Sequence, residues 1–212
     1  MATKLIESNQ VTLVGEIVSD YIYSHTVHGE KFYIVNIRIE RTSGVADIIP
    51  VMISDRLFYI VNSFKGRVVS VEGQLRSFNK HDETGSKLIL TVFAREMEFV
   101  NEADNIDKTG RGNKIILDGY ICKEPVYRKT PLEREIVDIL IAVNRPYGKS
   151  DYIPCIAWGR TARYISKFEV GQRCLISGRI QSREYIKKIS RDTEEKRIAY
   201  EVSISKLELP EE

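Results

Sequence analysis

Tyr152 and Trp158 stand six residues apart in the segment Asp151-Tyr-Ile-Pro-Cys-Ile-Ala-Trp158. In an extended strand that separation places both rings on one face. Further along, Arg179, Gln181, Arg183 and Tyr185 share one face of a second alternating run, while Cys174, Ile176, Gly178 and Ile180 share the other. The apolar set suits a core; the cationic set, ending in an aromatic, suits a polar groove. Tyr147 lies in the hairpin Arg145-Pro-Tyr-Gly-Lys149, and Arg160 follows Trp158 by two residues. Flat rings beside guanidinium and ammonium groups can stack on bases and neutralise phosphates, which is what holding a single-stranded nucleic acid of any sequence requires.

The chain carries no competing pattern for catalysis. His25, His28 and His81 fall in segments that read as loops, and Cys122, Cys155 and Cys174 form no CxxC pair. Phosphate-binding glycine loops, a nucleophile elbow and HExxH are all missing from the sequence. An enzyme, a metal centre, a bound cofactor and a disulfide framework are therefore not expected. The 212 residues are 42% apolar and 29% charged, an ordinary globular composition. No run approaches the roughly 20 apolar residues of a membrane span, and the first ten residues lack a signal-peptide core, so a cytoplasmic protein without membrane contact is expected. The net charge of +2 names no partner.

The elements that must position these residues come in two copies. Asn9-Gln-Val-Thr-Leu-Val-Gly15 aligns with Asn113-Lys-Ile-Ile-Leu-Asp-Gly119, and the same offset of 104 carries Arg41 to Arg145, Asp47 to Asp151 and Pro50 to Pro154. At an offset of 105, Gly66 to Ser77 aligns with Gly171 to Ser182. So many matches in fixed register mark a tandem repeat. The polar stretch 101–112 separates the copies, giving a first domain over 1–103, a linker over 104–112 and a second domain over 113–212.

Period-two patterning predicts strands near 10–19, 31–40, 47–53, 67–78 and 87–100, with a helical stretch near 55–64. The second copy repeats this with strands near 114–123, 135–144, 151–158, 173–185 and 197–209, and a helix near 161–168. Five strands with one helix between the third and fourth is the element order of a five-stranded Greek-key barrel, the OB fold. The fold class is all-β, two such barrels in tandem. Gly15, Gly119, Gly73 and Gly178 fall where closing a small barrel requires tight bends.

The words Ala142-Val-Asn-Arg145, Asp151-Tyr-Ile-Pro-Cys-Ile-Ala-Trp-Gly-Arg160 and Gly178-Arg-Ile-Gln-Ser-Arg-Glu-Tyr185 resemble those of bacterial single-stranded DNA-binding proteins. The resemblance covers the second copy and, more weakly, the first. It implies sequence-independent binding of single-stranded DNA in support of replication, recombination or repair, in assemblies of four OB folds. It places Tyr147, Tyr152, Trp158 and Tyr185 at the family's base-stacking positions. Arg145, Lys149, Arg160, Arg179, Arg183, Lys187 and Lys188 are the accompanying candidates for phosphate contact, with Arg128 and Lys129 in the loop between the first two strands of the second copy.

The first copy departs at these positions: Tyr147, Tyr152, Trp158 and Tyr185 become Ser43, Ile48, Ser54 and Lys80. Residues 1–112 carry 13 Lys and Arg against 15 Asp and Glu, whereas 113–212 carry 19 against 15. An acidic domain repels phosphate. The expectation is a division of labour, with the second copy binding the strand and the first serving as scaffold or oligomer partner; the alternative is binding by the first copy through relocated aromatics such as Phe78. Two barrels per chain suggest a homodimer presenting four, built by pairing of exposed first-strand edges. The sequence ends at Leu-Pro-Glu-Glu212, so the family's acidic recruiting tail is not expected. A primosomal-type interaction module, or an RNA binder, is the competing class.

Overall fold

The computed structural model describes residues 8–57, 63–82, 85–100, 112–188 and 194–210. The helix expected over 55–64 and the linker expected over 104–112 fall largely outside these residues. In the first copy the strands are β1 (Asn9–Ile17), β2 (Ile22–Val27), β3 (Glu30–Glu40), β4 (Ala46–Ser54), β5 (Val68–Asp82) and β6 (Gly85–Phe99). The second copy has β7 (Asn113–Ile121), β8 (Val126–Lys129), β9 (Glu135–Asn144), β10 (Ser150–Trp158), helix α1 (Gly159–Ile165), β11 (Arg173–Lys188) and β12 (Glu194–Glu208). In each, alternation buries one face: along β1 every second residue from Asn9 to Ile17 is buried.

Within the first copy the strand order β3–β4–β6–β5–β1 is closed by β1 pairing back to β3 through Glu16↔Arg38 and Ile17↔Ile37. In the second, β7 closes on β9 through Tyr120↔Ala142 and Ile121↔Ile141. The parallel pairs β4–β6 and β10–β12 complete the Greek-key connection of the OB fold. Each core is a stack of fully buried aliphatics, among them Leu13, Ile37, Val51 and Val71 in one barrel and Leu117, Ile141, Ile153 and Ile176 in the other.

The glycines do what barrel closure requires. The register of β5 against β6 shifts between Glu72 and Gly73, and that of β11 against β12 between Ser177 and Gly178. A Cβ on Gly178 would meet the Ser203 carbonyl oxygen at 2.3 Å, and one on Gly73 the Phe93 carbonyl oxygen at 2.2 Å. Asn9 and Asn113 fill the space beside these bulges. Asn9 Nδ2 donates to the Leu75 carbonyl at 2.7 Å and its Oδ1 accepts the Leu75 N–H at 2.9 Å; Asn113 repeats the pattern on Ile180 at 2.6 and 2.9 Å. The side-chain amides thus carry the β1–β5 and β7–β11 pairings beyond their last ladder partners, Val11↔Gly73 and Ile115↔Gly178.

Four expectations are corrected. The segments between the first two long strands are not loops: β2 and β8 form hairpins with β3 and β9, and Arg128 and Lys129 belong to β8. His25 lies in β2 and His81 in β5 rather than in loops. The first-strand edge is already occupied, because β1 pairs antiparallel with β7 of the same chain from Asn9↔Leu117 to Leu13↔Asn113. The ladder is extended at its ends by Val14 N–H to Gly112 carbonyl (2.7 Å) and Asp118 N–H to Ser8 carbonyl (2.8 Å). One 12-stranded sheet results. The two long hairpins, expected as loops after Phe78 and Tyr185, are strand arms, because ladder hydrogen bonds outweigh the weak strand preference of Lys, Asn, Glu and Asp.

Gly178→Ala is expected to lower stability by about 1–3 kcal/mol, the range for a forced overpacking, read as a fall in urea midpoint with unchanged slope.

Candidate nucleic-acid interface

The outer face of β10 alternates Tyr152, Pro154, Ile156 and Trp158, while Asp151, Ile153, Cys155 and Ala157 point into the barrel. Tyr152 is 47% exposed and Trp158 43%. The expected pair of rings therefore shares one surface. Register places Ala142 beside Tyr152 and Ile136 beside Trp158. Beyond Ala142 stands Tyr120, an exposed third ring on the same face that the sequence pattern does not single out. Only barrel closure of β7 onto β9 brings it there. Beyond Ile136 stands Arg128, whose guanidinium bonds Asp138 at 2.9 and 2.8 Å. Lys129 pairs with Glu133 at 3.4 Å. Such exposed pairs are weak and give way readily to another anion.

Tyr147 is held differently. It sits in a one-turn 3-10 segment, Pro146–Gly148, closed by the Arg145 N–H bonding the Lys149 carbonyl at 2.8 Å. Its backbone is left-handed, φ 64°, and its ring is 99% exposed. A non-glycine residue in that conformation is uncommon and costs free energy, and the turn holds the ring wholly in solvent. Lys149 and Arg160 are exposed beside it and on α1 respectively.

Arg145 and Arg179 are committed elsewhere. Asp47 and Asp151 are buried, 1% and 0% exposed, and each accepts a backbone N–H from the other copy. Asp47 Oδ1 accepts the Ser182 N–H at 2.7 Å, and Asp151 Oδ1 accepts the Ser77 N–H at 2.7 Å. Arg41 donates to both oxygens of Asp47 (2.7 and 2.5 Å) and to the Ser182 carbonyl at 3.2 Å. On the other side Arg76 and Arg145 lie 3.0 and 3.1 Å from Asp151 Oδ2. Arg179 approaches Asp47 at 3.6 Å, and burial, with Arg41 nearby, pulls its guanidinium below the usual range. Gln181 is buried and donates to Glu201 at 2.7 Å; Arg183 is exposed, 3.9 Å from the same carboxylate. The face expected to be a free cationic groove is thus partly the seam between the copies.

Tyr185 is half-buried in that seam. It lines a cavity of about 660 Å³ with Ile34 and Pro50 of the first copy and Pro154 and Arg197 of the second. Because Pro154 lies on the outer face of β10 beside Tyr152, Tyr185 borders the same surface from its far side. Lys187 and Lys188 close β11 opposite Glu195 and Glu194 in register.

A model of the single-strand binding protein family matches residues 8–100 and 112–210. The chain belongs to this family. Two single-strand binding domains in one chain account for the repeat. Among curated relatives, single-stranded DNA-binding protein 3 of Listeria innocua is 31% identical over 80 residues, covering 34% of this chain and 50% of the relative. Single-stranded DNA-binding protein A of Bacillus subtilis is 31% identical over 80 residues, covering 34% and 46%. The chain spans about half the length of these curated relatives. The solved single-stranded DNA-binding protein of Thermus aquaticus superposes with a TM-score of 0.72 at 24% identity over 96% of this chain and 93% of that one, a likeness of fold.

Burial alone would raise the Asp47 carboxyl, but the Arg41 bonds and the N–H and hydroxyl of Ser182 outweigh it and hold the group below the usual carboxylate range. A carboxylate whose folded pKa is depressed stabilises the fold above its unfolded pKa and loses that contribution as pH falls through the folded value. Asp47→Ala is expected to cost about 1.5–3 kcal/mol at pH 7, with the gap to wild type narrowing below about pH 4 in urea titrations.

Proposed function

We propose that the chain coats single-stranded DNA without sequence preference, in support of replication, recombination or repair. The observation that carries this reading is the shared outer face of β7, β9 and β10, where Tyr120, Tyr152 and Trp158 present half-exposed rings beside the fully exposed Tyr147. Bases of any identity can stack on such rings, while Lys149, Arg160, Arg183 and the displaceable Arg128 and Lys129 follow the phosphates. Lys187 and Lys188 extend this set along the β11–β12 arm. Arg145 and Arg179 act mainly by fixing the seam that shapes the surface. Family membership and the names of the Listeria and Bacillus relatives support the same reading.

The division of labour follows from the same face: the second copy, 113–212, supplies the main stacking surface and the first, 1–103, the scaffold. We read the protein as a binding protein and not an enzyme. Burial pushes the Cys155 thiol up, and that of Cys174 up to about 12, which removes both as nucleophiles. No helix among the described residues is long and apolar enough to cross a membrane. A cytoplasmic homodimer presenting four barrels remains our reading, with its interface away from β1, whose edge β7 occupies.

Trp158 is the single tryptophan, so its emission has one origin. Titration of the full chain with polythymidine of roughly 35 nucleotides is expected to quench it, with affinity falling as salt rises. The full chain is the right species, since a second-copy fragment would expose the β7 edge and strip Asp151 of its Ser77 partner. Tyr152→Ala and Tyr147→Ala are each expected to weaken binding by about 1–3 kcal/mol. Trp158 emission unchanged at saturating oligonucleotide would instead favour the interaction-module reading.

A further inference from the structure

The first copy has lost the rings at the positions of Tyr147, Tyr152, Trp158 and Tyr185, yet its outer face is not bare. Ser54 stands where the second copy has Trp158. On the strand beside it, Phe32 pairs with Ser54 as Ile136 pairs with Trp158. Across the parallel junction, Phe93 pairs with Met52 as Ser203 pairs with Ile156. Rings thus stand on the two strands flanking β4 where the second copy has Ile136 and Ser203; Phe93 is half-buried, and Phe32, 8% exposed, lies beneath the surface.

These rings form a connected set. His25 of β2 stacks on Phe32 with centroids 5.0 Å apart and planes at 15°, and Phe32 meets Phe93 at 5.8 Å. Phe78, on the β5 arm, is 47% exposed. His25, Met52, Phe78 and Phe93, with Arg76 and the second copy's Arg145, line an open groove of about 600 Å³. A volume of that order accommodates a nucleotide. No carboxylate is among its lining residues. Arg76 and Arg145 share the single carboxylate of Asp151, so two cations face one anion and the groove wall keeps excess positive charge.

The groove is also continuous with the proposed stacking surface. Ser77, adjacent to Phe78, accepts the Tyr152 N–H on its hydroxyl at 2.7 Å. The Tyr152 main chain thus meets β5 one residue before Phe78. We infer that the first copy holds a second base-binding site for single-stranded DNA, built on Phe78 and Phe93, with Arg76 and Arg145 at its phosphate side. The inference rests on the reading that this chain binds single-stranded DNA, and it changes the first copy from scaffold to contributor.

The test moves the reporter. In full-length protein carrying Trp158→Phe and Phe78→Trp, the only indole lies in the groove, and polythymidine is expected to quench it over the concentration range that quenches Trp158 in the wild type. Phe78→Ala alone is expected to weaken binding about fivefold or more for oligonucleotides long enough to reach both copies, while leaving the extent of Trp158 quenching at saturation intact. Circular dichroism checks that these substitutions at a half-exposed position keep the fold. An unresponsive indole in the Phe78→Trp protein, with Trp158 of the wild type still quenched, overturns the second site and leaves the second copy as the binding surface. Silence of both reporters overturns the single-stranded DNA reading itself and this inference with it.

Discussion

Two buried carboxylates hold the molecule in the arrangement on which everything else depends. Asp47 and Asp151 are oriented by arginines of their own copies, Arg41 and Arg145, and each accepts a main-chain N–H from the other copy's long arm. A carboxylate this deep is tolerable only if its oxygens are satisfied, and hydrogen bonds to a charged acceptor are the strong ones. Because the partner is backbone, the bond fixes where each arm crosses the opposite barrel. That in turn fixes the seam cavity, the placement of Tyr185 and the junction between Tyr152 and Phe78.

Much of the architecture was legible in the residues. The repeat at constant offset, the alternation of β1 and β10 and the glycines at the two bulges all report local or periodic constraints that a chain carries in its own order. What was not legible depends on distant partners. Arg145, Arg179 and Gln181 have the composition of a solvent-facing groove, and only the folded packing shows that the two arginines serve the seam and that Gln181 is buried on Glu201. Tyr120 has no local mark distinguishing it from a surface tyrosine. β2 and β8 are short and fully exposed, so they lack the buried face that makes a strand visible in sequence.

The two copies illustrate how a barrel tolerates change on its outer face while its interior is held. Core positions match in type, such as Leu13 with Leu117 and Ile37 with Ile141, because each must fill the same closed space. Outside, Trp158 and Ser54 occupy one place and Phe93 and Ser203 another, and neither exchange disturbs the ladder beneath. The surface is therefore free to differ in ring, charge and position between copies that share one backbone plan.

The β1–β7 ladder joins the barrels within one polypeptide, so their pairing is independent of protein concentration: dilution that would separate two subunits leaves this pair intact. It has a genetic corollary. In a symmetric pair of identical subunits every substitution appears twice, and a change that improves one face alters its counterpart as well. Here each half has its own codons, and asymmetry such as Phe78 against Arg183 can accumulate one residue at a time.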